Sequence, residues 1–125
     1  MHHAFIGNSI HSFCFKNIKE LLEEAPDYSE GWMLLGLLQE ETKNWEEAVR
    51  SYTTLLEKNP NWLNARGRLA NILVYLGRPK EALEQYSLIE KDNKLSKQQL
   101  PILYKSMGIA HQQANQNDEA IHYYT

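Results

Sequence analysis

Three features of this sequence predict an all-α fold of stacked antiparallel helix pairs. Apolar residues recur at helical spacing, turn residues divide the runs at short intervals, and one set of anchor residues occurs three times. Leu35-Gly36…Ala48…Tyr52 returns as Leu69-Ala70…Ala82…Tyr86 and again as Met107-Gly108…Ala120…Tyr124. The first step, 36 to 70, is 34 residues and the second, 70 to 108, is 38; the alanines shift alike, 48 to 82 to 120. A fixed period of that length marks a stacked repeat, in which each copy packs mainly on its neighbours.

Each element has its own signal. Residues 1–8 are expected to be disordered or tag-like, with His2-His3 at the start. From Ser9 to Glu24 the residues Ile10, Phe13, Cys14, Ile18, Leu21 and Leu22 fall at helical spacing, and Ala25-Pro26 ends the run. Its tail, Leu21-Leu22-Glu23-Glu24-Ala25-Pro26-Asp27, resembles Leu55-Leu56-Glu57-Lys58-Asn59-Pro60-Asn61. Residues 9–28 are therefore a partial repeat: a second helix that lacks its first and caps the stack.

Residues 29–62 form the first full repeat. Leu34, Leu35, Leu38 and Gln39 share one side of its first helix, and Ala48, Val49, Tyr52, Leu55 and Leu56 line the second. Asp27 with Glu30, and Asn44 with Glu47, fit capping boxes at the starts of these helices. Residues 63–100 form the second repeat, whose helices are divided by Leu76-Gly77-Arg78-Pro79, with Gly past one end and Pro at the next start. Four extra residues fall within Asp92–Pro101. Ser96 with Gln99 favours a helix start near Ser96, against the preference of Pro101 for a first turn. Residues 101–125 form a third, truncated repeat with its turn at Asn115-Gln116-Asn117.

These anchors resemble the tetratricopeptide repeat, whose pattern runs W-x2-L-G-x2-Y…A-x3-F…P. The first copy supplies Trp32, Leu35, Gly36, Gln39, Ala48, Tyr52 and Pro60. The second supplies Arg66, Leu69, Ala70, Leu73, Ala82 and Tyr86, with Lys94 in place of the closing Pro; the third supplies Tyr104, Met107, Gly108, His111, Ala120 and Tyr124. The resemblance covers roughly residues 29 to 125. It implies a right-handed α-solenoid of about seven helices. Small residues stand where helices approach closely and the tyrosines fill the space between repeats, so all nine recurring Gly/Ala/Tyr positions are core.

Composition narrows the function classes. The chain has 125 residues, 42% of them apolar, enough for a packed core. A formal charge of −3 and the lack of a basic face argue against nucleic acid. Cys14 is the one cysteine, so no intrachain disulfide forms, which fits a reducing cytoplasm. No apolar run reaches the length of a membrane span, and the first residues lack the layout of a secretory signal.

Nothing points to catalysis or to a cofactor. Cys14 lies on an apolar helical stripe, where an inert thiol is expected. Glu23-Glu24, Glu40-Glu41 and Glu46-Glu47 are adjacent in sequence, so their carboxylates diverge around a helix. There is no Gly-rich phosphate loop and no metal-ligand cluster. His111 and His122 flank the 115–117 turn symmetrically, but two ligands make a weak metal site.

Binding is the better supported class. In proteins of the resembled family the first helix of each repeat lines a concave surface that takes extended peptides or helices. The positions presented there are Met33, Leu37 and Glu40 in the first repeat, Asn64, Asn71, Val74 and Tyr75 in the second, and Lys105 and Ile109 in the third. The carboxylate clamp of the chaperone-binding members would fall on Met33, Leu37, Arg68, Ile102 and Ser106, and its Lys, Asn, Asn, Lys, Arg set is absent. The leading expectation is a non-enzymatic interaction scaffold for a protein or peptide partner. Two alternatives are an assembly subunit that forms a homodimer through an uncovered C-terminal edge, and a regulatory domain of a longer enzyme.

Overall fold

The computed structural model describes the backbone of residues 2–92 and 97–124 and the side chains of residues 10–92 and 97–116. Among the described residues there are six helices and no strand: α1 (His2–Glu24), α2 (Ser29–Glu41), α3 (Trp45–Lys58), α4 (Leu63–Tyr75), α5 (Pro79–Lys91) and α6 (Gln99–Tyr124). They form two compact units, Met1–Trp62 and Leu63–Thr125.

In the first unit, α2 packs against α3 along its length and against α1 on another side. The α2–α3 contact is set by Gly36. A Cβ there would stand 2.5 Å from Cε1 and 2.7 Å from Cζ of Tyr52, so the ring lies directly on the α2 backbone. Ala48, Tyr52 and Leu55 of α3 are completely buried. The Tyr52 hydroxyl donates to the Glu40 carboxylate. Beside the ring, Ser51 Oγ donates to Gln39 Oε1 at 2.6 Å, a buried polar pair that joins the same two helices. Trp32 Nε1 donates to the Pro26 carbonyl at 2.8 Å and ties the start of α2 to the turn behind it.

In the second unit α5 packs on both α4 and α6, and α4 touches α6. Ala70 and Ala82 are fully buried, with Leu69, Ile72, Leu73, Tyr86 and Ile89 around them. The Tyr86 hydroxyl donates to Asn71 Oδ1. Burial pushes the Tyr86 phenol above its ordinary pKa, while a hydrogen bond with Ser106 opposes that shift.

Helices α2 and α4 end in the same way. The N–H of Lys43 bonds to the Glu40 carbonyl and that of Asn44 to the Gln39 carbonyl, with Lys43 at φ 63°. Gly77 and Arg78 repeat this on Val74 and Leu73, with Gly77 at φ 79°. This is a Schellman turn, which needs a left-handed residue just past the helix. Gly77 meets that need without steric cost, whereas Lys43 carries a Cβ in the left-handed region. Lys43→Gly is therefore expected to stabilise the protein by roughly 0.5–1 kcal/mol, read as a raised urea midpoint at unchanged slope.

Several sequence expectations are corrected. The backbone is helical from His2, where residues 1–8 were expected to be disordered. Neither expected capping box forms: Asn44 gives its side-chain amide to Thr42 Oγ1, and Asp27 pairs with Lys58 at 3.0 Å while Tyr28 is the cap residue of α2. Leu34 is exposed. Ser96 lies outside the described residues, and α6 starts at Gln99, with Pro101 in its first turn. Residues 115–117 make no turn; α6 runs through them to Tyr124, which gives six helices in place of about seven. The side chains of Ala120, His122 and Tyr124 lie outside the described residues.

Candidate protein-interaction surface

The expected surface residues fall in both units. In the first, Met33 is buried at 8% exposure, and Leu37 and Glu40 are half-buried. Glu40 accepts the Tyr52 hydroxyl, so its carboxylate is already part of the α2–α3 contact. Met33 belongs to the core, because a residue three positions before Gly36 on a helix packed on two sides has little open surface.

The second unit is more open. Asn64, Asn71 and Tyr75 are all exposed and share one stripe of α4, since spacings of seven and four return to the same face. Val74 is half-buried, and its carbonyl accepts from Gln113 Nε2 of α6 at 3.1 Å. That bond sets α4 and α6 side by side. On α6, Lys105 and Ile109 are exposed, as is Ile102 one turn earlier. Tyr75, Ile102 and Ile109 are 70%, 67% and 51% exposed, a concentration of large apolar side chains on two adjoining helices. Asn71 adds a polar group to this face, and its oxygen already accepts from Tyr86.

A second feature, absent from the sequence reading, is a cleft of about 390 Å³ in the first unit between α1, α2 and α3. Its walls include Lys19 and Glu23 of α1, Trp32 and Gln39 of α2, and Arg50 and Ser51 of α3. Trp32, Leu35 and Gln39 lie about a third of a turn away from Met33 and Leu37 around α2, so the cleft is distinct from the expected surface. Helical spacing shows that Trp32 and Gln39 share a face, but only the packing of α1 and α3 makes that face a cleft. Lys19 and Arg50 are matched there by Glu23 and Glu47, which leaves it without a preferred charge sign.

No group of three or more candidate ligands occurs among the described residues. His111 and His122 lie on one continuous helix, about 16 Å apart along its axis, and do not face each other across a hairpin. No helix among the described residues is long and apolar enough to cross a membrane.

A close glycine–tyrosine contact, small residues in the facing helix and matching helix ends define a protein of stacked helix hairpins. Residues 29–62 match the family model of the tetratricopeptide repeat, and the described residues have an all-α, solenoid-class fold. Solved structures share the fold. The TPR2B domain of yeast Sti1, in a complex with pHsp70, is 20% identical, covers 89% of this chain and 90% of its own, and superposes with a TM-score of 0.71. The Yersinia enterocolitica type III secretion chaperone SycD, in complex with a peptide of the translocator YopD, is 12% identical over 90% of this chain and 86% of its own, at 0.70. MamA is 18% identical over 96% of this chain and 63% of its own, at 0.74. No curated protein matches the chain significantly.

Proposed function

We propose that this chain is a non-enzymatic interaction module that takes a peptide or helix of a partner protein, in the cytoplasm, on the first helices of its repeats. The observation that carries this reading is the exposed apolar set Tyr75, Ile102 and Ile109 on α4 and α6, flanked by Asn71 and Lys105. Apolar side chains of that size supply contact area, and the Asn71 amide can donate to a partner's backbone carbonyl. Asn64 and Val74 border the same face. Sti1 and SycD were solved in complexes with pHsp70 and with a YopD peptide, which supports a peptide-binding role for the fold. The carboxylate clamp is missing, so the ligand is recognised along its length and not by a free C-terminus.

Peptides selected from a random library on the wild-type chain test this reading. Tyr75→Ala and Ile109→Glu are expected to weaken the selected peptides at least about tenfold, or 1.4 kcal/mol, with the melting temperature unchanged. Peptides that bind both variants as well as wild type would place recognition elsewhere, the first-unit cleft being the next surface to test.

A further inference from the structure

We propose that the cleft between α1, α2 and α3 is a second binding site, which takes an aromatic side chain of a peptide and bonds a carbonyl of that residue to the Gln39 amide. The site is separate from the α4–α6 face, and either can fail without the other. Its walls all come from residues 19–54, so three consecutive helices inside the chain complete it.

Gln39 is the residue that packing does not explain. The repeat pattern W-x2-L-G-x2-Y ends on a tyrosine, and in Trp32-x2-Leu35-Gly36-x2-Gln39 that position holds a glutamine. Its counterpart in the second repeat is Leu73, an apolar core residue 3% exposed. Gln39 is 6% exposed, and burying an amide costs free energy unless its polar atoms are bonded. Its Oε1 accepts from Ser51 Oγ at 2.6 Å. Its Nε2 donates to no group among the described residues, yet it is not sealed from solvent. The opening that Gln39 lines is this cleft. A donor is therefore held unspent where the repeat pattern has an aromatic ring.

The other walls say what kind of group fits. Leu22 and Leu35 are apolar and deeply buried, and the Trp32 indole gives its N–H to the Pro26 carbonyl, so it offers a visitor ring surface and no donor. Lys19 and Arg50 are balanced by Glu23 and Glu47, and Arg50 pairs with Glu47 at 3.4 Å. A surround without net charge favours an uncharged group over an ion. The cleft volume of about 390 Å³ is more than twice the roughly 150 Å³ of a cavity that holds benzene, room for one ring with its peptide groups. An apolar wall with one convergent donor is the usual make-up of a ligand site.

N-acetyl-L-phenylalaninamide, one aromatic residue with an amide on either side, is the probe, titrated into isotope-labelled protein and read by NMR. The side-chain resonances of Trp32 and Gln39 are expected to shift saturably, with a Kd on the order of 1 mM for a ligand of about fifteen non-hydrogen atoms. N-acetyl-L-leucinamide, which lacks the ring, is expected to bind about fivefold more weakly. Gln39→Tyr supplies the ring from within and is expected to abolish the Trp32 shift with helical circular dichroism unchanged. Gln39→Leu places the residue of the second repeat here, removes the donor, and is expected to weaken binding about fivefold. No saturable shift in wild type, a leucinamide that binds as well as the phenylalaninamide, or Gln39 variants that bind like wild type would each overturn the proposal.

Discussion

Gly36→Val is expected to destabilise the protein by about 3 kcal/mol, the upper end of the cost of overpacking a core. The first added carbon would lie 2.5–2.9 Å from three ring atoms of Tyr52. That ring cannot retreat: it is fully buried and its hydroxyl is held by Glu40. The strain can be relieved only by moving α3 away from α2, which opens the contact along its length. Valine recovers a few tenths of a kcal/mol in helix propensity, far too little to compensate. Gly108→Ala is the control, because its Cβ enters open space on a helix and is expected to stabilise by up to about 1 kcal/mol. Urea unfolding of both variants measures the difference. Equal destabilisation by the two would show that Gly36 acts through glycine's flexibility and not through the ring above it.

Tyr52→Ala is expected to cost about 3–5 kcal/mol, since it empties the site of a fully buried aromatic ring. Tyr52→Phe keeps the packing and removes the bond to Glu40, for about 1 kcal/mol. The ratio separates packing from hydrogen bonding, and a Phe variant as unstable as the Ala one would reverse their ranking. The two sites are also coupled. In a Tyr52→Ala background Gly36→Val has room to fit, so the double variant should lose much less than the two single losses combined.

The parts of the fold legible in the sequence are those where backbone geometry dictates a residue type. Gly36, Ala48 and Tyr52 belong to a close approach that admits few alternatives, so their recurrence revealed the repeat. Gly77-Arg78-Pro79 was legible for the same reason, since a left-handed residue and a helix-start proline each have a specific backbone requirement. Asn115-Gln116-Asn117 misled because Asn only weakly disfavours a helix, by some tenths of a kcal/mol per residue. Asn115 occupies the helix-ending position held by Lys43 and Gly77, but its composition alone does not force the left-handed turn. The capping boxes failed on competition: Thr42 took the Asn44 amide and Lys58 took Asp27. Among surface residues, spacing placed Asn64, Asn71, Tyr75, Lys105 and Ile109 on exposed faces, but could not show that Met33 is buried or that Glu40 accepts the Tyr52 hydroxyl.

The division into two compact units gives the protein an optical asymmetry. Its three tryptophans, Trp32, Trp45 and Trp62, all lie in residues 1–62, and the second unit has none. Indole emission during a melt therefore follows one half of the molecule, with Trp32 reporting directly on its bond to the Pro26 carbonyl. Far-ultraviolet circular dichroism follows the helices of both halves. The separation between the two midpoints then tells, without a label, whether the first unit melts at the same temperature as the helices taken together.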